Sequence, residues 1–285
     1  MSANLPPQFF TLSEKSKEAK TAKEKLSFLE EMLAICPKHK GTEKVQKDLK
    51  TKIAKLKREG AGQIVISGPP NPGKTSLINA LTQANFKVAN YPFATTLPQP
   101  AMMPYEDISI QLIDTPPLTK DFSPGWLKNI LINSDGILAV FDISKENFEN
   151  EIEEFKKILE NLGLKNKKIL FLGNKIELKK MTEDIPLLIK ISAEKKIGLE
   201  NLKRKIFEIL EIIRVYSKKP GKEPDLSHPF IFKNDSRLID LISEIHQDLA
   251  QKFKYARLFE RNSKTATIIG KDYLLKDGDI VEVHF

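Results

Sequence analysis

The chain has 285 residues, 40% of them hydrophobic, a formal net charge of +8 and a single cysteine, Cys36. That length accommodates two or three small domains with real cores, and one cysteine excludes an intrachain disulfide, as suits a reducing cytoplasm. Apolar runs such as Gly136 to Phe141 are too short to span a bilayer, and Met1 to Pro7 lacks the basic and apolar regions of a signal peptide, so neither membrane insertion nor export is expected.

The positive excess is concentrated at the start. Residues 1–60 carry 14 Lys/Arg against 8 Asp/Glu, whereas residues 228–285 carry 9 of each. An anionic partner suits such a distribution. Residues 1–60 read as an α-helical hairpin. Ala22, Leu26, Leu29, Leu33 and Cys36 recur at helical spacing, Pro37 to Gly41 breaks the pattern, and Thr42-Glu43 starts a second helix striped by Val45, Leu49, Ile53 and Leu56. Lys44, Lys47, Lys55 and Arg58 fall on the opposite face, and Lys38, His39 and Lys40 extend it through the turn. Such a face is either a solvated polar surface or a surface for RNA phosphates.

Residues 61–216 alternate apolar strands with amphipathic helices. Strands fit at 64–67, 108–114, 136–142, 168–173 and 187–192, and helices at 74–84, 124–132, 146–162 and 199–214. This pattern predicts an α/β domain with a mostly parallel sheet covered on both faces. Residues 217–227 are polar and rich in Pro and Gly, and read as a linker. Residues 228–285 form a smaller α+β unit, with short strands at 230–232, 256–259, 267–269 and the C-terminus, and one helix face of Leu238, Leu241, Ile242 and Ile245.

Between the first strand and first helix of the α/β domain stands Gly68-Pro69-Pro70-Asn71-Pro72-Gly73-Lys74-Thr75, a G-x-x-x-x-G-K-T phosphate-binding loop in its proper context. Its glycines let backbone N–H groups turn inward around a polyphosphate. Lys74 supplies a point charge, Thr75 a hydroxyl for Mg²⁺, and the helix N-terminus a partial positive charge. Asp114 ends a buried strand and can hold Mg²⁺ through water opposite Thr75. In the loop Tyr91-Pro92-Phe93-Ala94-Thr95-Thr96, Thr95, with Thr96 as the alternative, can close over Mg²⁺ and a γ-phosphate. After a later strand come Asn174, placed to brace the phosphate loop, Lys175, whose stem can lie along a base, and Glu177, whose carboxylate can accept guanine N–H protons. Ser192-Ala193 can present a backbone N–H to the guanine carbonyl oxygen.

This order of elements resembles the translation-factor class of GTPases. Tyr91-Pro92-Phe93 with Thr95, and Asn71 inside the phosphate loop, look like the Obg superfamily. Ile245-His246-Gln247-Asp248, Phe253-Lys254-Tyr255-Ala256-Arg257, Gly270 and Asp277-Gly278-Asp279-Ile280-Val281-Glu282 resemble the TGS domain of the developmentally regulated GTP-binding (DRG) proteins. The resemblance implies a P-loop GTPase domain and, over 228–285, a ubiquitin-like β-grasp TGS domain. It implies GTP/GDP and Mg²⁺ binding, slow hydrolysis, and action on a ribosome or RNA. The single cysteine suits a cytoplasmic location, and the near-neutral charge of residues 228–285 suits docking of an accessory protein as well as RNA. The nucleotide-binding residues that the resemblance implies are Pro70, Asn71, Pro72, Gly73, Lys74, Thr75, Ser76, Asn174, Lys175, Glu177, Ser192 and Ala193. Lys74 and Thr95 would serve catalysis, Thr75, Thr95 and Asp114 the Mg²⁺, and Asn71 a K⁺.

The chain departs from the usual GTPase or DRG pattern at four places. Asp114-Thr115-Pro116-Pro117 replaces Asp-x-x-Gly, and Pro117 has no N–H to offer a γ-phosphate. Leu118 stands where many GTPases carry a water-orienting Gln, a substitution that Obg-type relatives share. Glu177 replaces Asp in Asn-Lys-x-Asp, moving the carboxylate by about 1.5 Å. The YchF branch, which prefers ATP, also has Glu there and a TGS domain, but lacks the preceding lysine. Finally, 60 positions separate Asp114 from Asn174, which leaves no room for the helical insertion of DRG proteins.

Overall fold

The computed structural model describes residues 6–18, 22–37, 42–43, 45–46, 48–49, 60–88, 98–122, 125–178, 188–245, 253–259 and 265–285. The chain divides into two compact units, Met1–Glu59 and Gly60–Phe285. None of the described helices is long and apolar enough to cross a membrane.

The first unit opens with a helix that the sequence pattern did not reveal, α1 (Pro7–Glu18), before α2 (Ala22–Ile35). Pro7 suits a first helical position, where its missing N–H costs nothing. Phe9 and Leu12 of α1 share a core with Leu29, Met32 and Leu33 of α2 and with Cys36, Val45 and Leu49. The Pro37 carbonyl then accepts hydrogen bonds from the Thr42 hydroxyl and, at 2.7 Å, from Gln46 Nε2. α1 is thus an addition to the expected hairpin, most of whose second helix lies outside the described residues. The cationic positions Lys38, His39, Lys40, Lys44, Lys47, Lys55 and Arg58 lie outside the described residues.

The second unit begins with β1 (Gln63–Ser67), α3 (Lys74–Leu81), β2 (Gln99–Tyr105), β3 (Ile108–Asp114), α4 (Gly125–Asn133) and β4 (Gly136–Asp142). It continues with α5 (Phe148–Asn161), β5 (Ile169–Asn174), β6 (Leu188–Lys190) and α6 (Leu199–Leu210). The sheet order is β2-β3-β1-β4-β5-β6, with β2 antiparallel to β3 and the other pairs parallel. Successive strand residues point to opposite faces, so near-continuous apolar runs feed two cores. Ile64, Ile66, Leu138 and Val140 pack with Leu77 and Ile78 of α3 and Leu202 and Ile206 of α6. Val65, Ile137, Ala139 and Phe141 pack with Leu127 and Leu131 of α4 and Ile152 and Phe155 of α5. The C-terminal ends of β1, β3, β4 and β5 thereby gather at one edge, where open α/β sheets bind ligands. β2 is an addition to the sequence reading. Pro100 and Pro104 argue against a strand, and an edge strand is where they are tolerated.

Expectation and structure differ again after α6. The helix stops at Leu210 because Glu211 takes a left-handed conformation, φ 50°. Residues Ile212–Ser217, read in part as helix, form β7. This strand joins β8 (Phe230–Lys233), α7 (Leu238–Ile245), β9 (Tyr255–Phe259), β10 (Ala266–Ile269) and β11 (Asp279–His284). The second sheet runs β10-β9-β11-β7-β8, with β11 parallel to β7 and the remaining pairs antiparallel, the expected β-grasp layout. Leu238, Leu241 and Ile242 of α7 cover Ile213, Val215, Ala256 and Val281. The small domain therefore starts at β7, and the polar stretch 217–227 connects two strands of its sheet instead of linking two domains.

One buried cation ties the two sheets. Arg214 on β7 has a side chain only 7% exposed. It forms a two-pronged bond to Asp277, Nε to Oδ1 at 3.0 Å and Nη2 to Oδ2 at 2.7 Å. Its Nη1 meets Asp107 at 2.8 Å and also Glu106, both in the β2–β3 turn. The guanidinium lies 5.0 Å over the Phe207 ring of α6, and the Tyr216 hydroxyl donates to Asp107. The Asp277 hydrogen bond leads in raising the Arg214 pKa, against burial. Burial pushes the Asp107 carboxyl up, but the Tyr216 and Arg214 hydrogen bonds outweigh it and hold Asp107 below its usual range. Arg214→Ala strips three carboxylates of their shared partner and is expected to cost about 3 kcal/mol in urea unfolding of the full chain. A loss below about 1 kcal/mol would show that water replaces the guanidinium at little cost.

Candidate functional site

The phosphate loop follows β1. Gly68 has φ 148°, and a Cβ there would stand 2.3 Å from the Val140 carbonyl oxygen. Asn71 (φ 62°) and Gly73 (φ 90°) are both left-handed, a succession that turns main-chain amides toward one concavity. Leu77 N donates to Gly73 O at 2.9 Å and closes the first turn of α3, whose N-terminus therefore opens at the loop. A helix start of this kind is an anion site. Pro70 and Pro72 shape the loop, and Pro72 is buried.

Lys74 is buried and donates to the Pro69 carbonyl at 2.9 Å. Burial pulls its pKa down to about 8, with the Asp114 charge acting against that fall. Thr75 Oγ1 donates to Asp114 Oδ2 at 2.7 Å, and Asp114 is fully buried at the end of β3. The structure thus joins the hydroxyl and the carboxylate that the sequence assigns to Mg²⁺. Two hard oxygens in contact beside an anion cradle fit that cation.

Asn174 ends β5 and uses both ends of its buried amide. Nδ2 donates to the Pro72 carbonyl at 2.8 Å, and Oδ1 accepts the Ala193 N–H at 3.0 Å. Asn174 thereby links the phosphate loop to the turn at Ser192-Ala193. The Ala193 N–H, however, is held by Asn174 and is not presented to a base. Ser192 Oγ accepts the Lys195 N–H at 2.8 Å and fixes the turn. Lys175 (φ 67°) sends Nζ to Asp142 Oδ2 at 2.6 Å and to the Asn71 carbonyl at 3.2 Å. Its side chain therefore crosses to the phosphate loop. Glu177 sits in a short 3₁₀ turn, Ile176–Leu178, with Oε2 buried and without a hydrogen-bond partner among the described residues. An orphaned buried acceptor suits the paired N–H groups of a purine such as guanine. Tyr91-Pro92-Phe93, Thr95 and Thr96 lie outside the described residues.

The sequence reading missed two participants. Asp142 ends β4 and accepts the Ser144 N–H at 3.1 Å and its hydroxyl at 2.6 Å besides the Lys175 ammonium. Burial pushes the Asp142 carboxyl up, and the bonds from Lys175 and Ser144 outweigh it and hold the pKa low. Its signal was an Asp closing a buried strand, as at Asp114. The second is the backbone of Leu118, whose N–H donates to the Gly68 carbonyl at 3.1 Å. The Leu118 side chain is 1% exposed and packs with Val65, Leu127 and Leu131, so it faces the core and not an attacking water.

Residues 63–175 match the family described as 50S ribosome-binding GTPase, and residues 213–284 match the TGS domain. A GTP-binding protein of Methanocaldococcus jannaschii is 24% identical, the match covering 91% of this chain and 92% of that protein. Developmentally-regulated GTP-binding protein 1 of Xenopus laevis is 24% identical, over 91% and 98%. The first alignment is 359 positions long against a chain of 285, so that relative carries segments with no counterpart here. Among solved structures, a GTP-binding protein of Sulfolobus solfataricus in complex with GDP is 23% identical over 72% of this chain and 67% of that one, with a TM-score of 0.42.

The Lys74 pKa has a measurable consequence. A bound phosphate favours the charged amine, so polyphosphate affinity is complete below pH 8 and falls as pH rises through about 8. The Kd for GDP is expected to rise about tenfold more between pH 7 and 9 in the wild type than in Lys74→Arg, whose charge persists. Equal slopes would mean that Lys74 stays protonated throughout.

Proposed function

We propose that this chain, a homologue of the developmentally regulated GTP-binding proteins with a GTPase domain and a C-terminal TGS domain, binds GTP with Mg²⁺, hydrolyses it slowly and acts as a nucleotide-dependent switch on a cytoplasmic RNA or ribosomal partner. The observation that carries the reading is the Asn174 bridge from Pro72 to Ala193, which holds the phosphate cradle and the base-side loops in one frame.

Within that frame Lys74 and the amides of residues 74–76 stabilise charge on the transferring phosphoryl group. Mg²⁺, when bound, neutralises negative charge on the phosphate oxygens. Thr75 would hold it, with Asp114 acting through water and Thr95 as the expected further hydroxyl. Asn71, on the rim of the loop, is the candidate K⁺ ligand. No described side chain in the site is placed as a general base, and Leu118 is turned into the core. Catalysis then rests on positioning and electrostatics, and intrinsic turnover is slow. Glu177 reads the base. Its extra methylene also favours a second reading, a YchF-like ATPase with relaxed base specificity.

Calorimetric titration with GDP and with GTP and ATP analogues, in Mg²⁺ and K⁺, decides between them. Guanine preference is expected, sharpened by Glu177→Asp. ATP preference would establish the second reading, and absence of any binding would sink both. The partner is tested separately. Neutralising Lys44, Lys47 and Lys55 should weaken RNA binding and reduce the slope of log K against log salt by ~2. An unaltered slope would make that face a solvated surface, and would leave the TGS domain, as a docking site for an accessory protein, to choose the target.

A further inference from the structure

A residue that senses the γ-phosphate after β3 must offer a main-chain N–H in the triphosphate state. Here four successive positions, 116–119, have no such donor to spare. Pro116 and Pro117 have none. The Leu118 N–H goes to the Gly68 carbonyl at 3.1 Å, and the Thr119 N–H to the Phe122 carbonyl at 3.2 Å. Phe122 N–H returns to the Thr119 carbonyl at 3.3 Å and closes that turn.

The segment is also anchored against movement. Thr115 through Leu118 are all buried. Thr115 Oγ1 donates to the Ile66 carbonyl at 2.8 Å on one side, and Leu118 inserts between Val65, Leu127 and Leu131 on the other. Swinging these residues toward a phosphate would break two hydrogen bonds and expose a leucine and two prolines to water. The two pyrrolidine rings further restrict the path.

We infer that residues 115–119 form a fixed wall of the nucleotide site, identical in the diphosphate and triphosphate states, and that discrimination of GTP from GDP lies outside this segment. The inference rests on the GTP reading above. It assigns a structural reason to Pro117: the position where a mobile glycine would sense the γ-phosphate has become part of the core. Any partner that distinguishes the two states must then recognise a different element.

Hydrogen–deuterium exchange of the full chain tests this, without nucleotide, with GDP and with a non-hydrolysable GTP analogue, all with Mg²⁺. Peptides spanning 68–78 report whether the cradle is filled, and peptides spanning 115–122 report the wall. The expected result is protection of the cradle by both nucleotides, with the Leu118 and Thr119 amides slow in every state and differing by less than about threefold between GDP and the analogue. Larger slowing by the analogue alone would overturn the inference, since it would reveal a new contact or an ordering step in the wall. A cradle unprotected by either nucleotide would instead remove the GTP reading itself, and this inference with it.

Discussion

The side chain of Asn174 is the constraint on which the site depends. It is a buried amide whose donor and acceptor ends are both satisfied, one by a carbonyl 102 residues earlier and the other by an N–H 19 residues later. Burying such a group without partners would be costly, so the three loops it touches must keep their relative positions for the fold to be stable. Gly73 follows from the same requirement, because a Cβ there would collide with Asn174 Nδ2 at 2.5 Å. Lys175 repeats the arrangement with a charge, reaching back to the phosphate loop while Asp142 neutralises it. Preorganisation of this kind is what catalysis without a general base requires.

Much of this was legible in the chain. The phosphate loop, Asp114, Asn174 and Glu177 are marked by their place at the ends of apolar strands, and parallel strands bring those ends together whatever the loops do. What was hidden depends on partners far apart in sequence. β2 carries two prolines that only an edge position excuses. β7 follows a helix without a break in hydrophobicity, and the left-handed Glu211 that ends the helix has no glycine to announce it. Asp142 resembles any strand-ending acid until Lys175 is seen against it. The Arg214 cluster joins residues 63 to 108 positions apart, beyond the reach of periodicity.

The two domains also divide the electrostatic work. Near the cradle, each buried carboxylate has a donor, Asp114 the Thr75 hydroxyl and Asp142 the Lys175 ammonium, an order set before any polyphosphate enters. At the junction, Arg214 gathers three carboxylates around one guanidinium. Buried pairs of this kind add specificity of arrangement more readily than net stability. Here the arrangement they specify is the angle between the β2–β3 turn and β7.

That angle has a consequence for how the protein can be divided. The polar stretch at 217–227 looks like the natural place to cut, yet β7 lies before it and β8 after it, hydrogen-bonded side by side from Ile212–Lys233 to Val215–Phe230. A protease acting there would nick a hairpin and leave both fragments interleaved in one sheet. A gene truncated there would leave β7 with neither of its neighbours, an apolar strand with two open edges and a tendency to aggregate. The two sheets separate genetically ahead of Ile212, at the single residue Glu211 where helix gives way to strand.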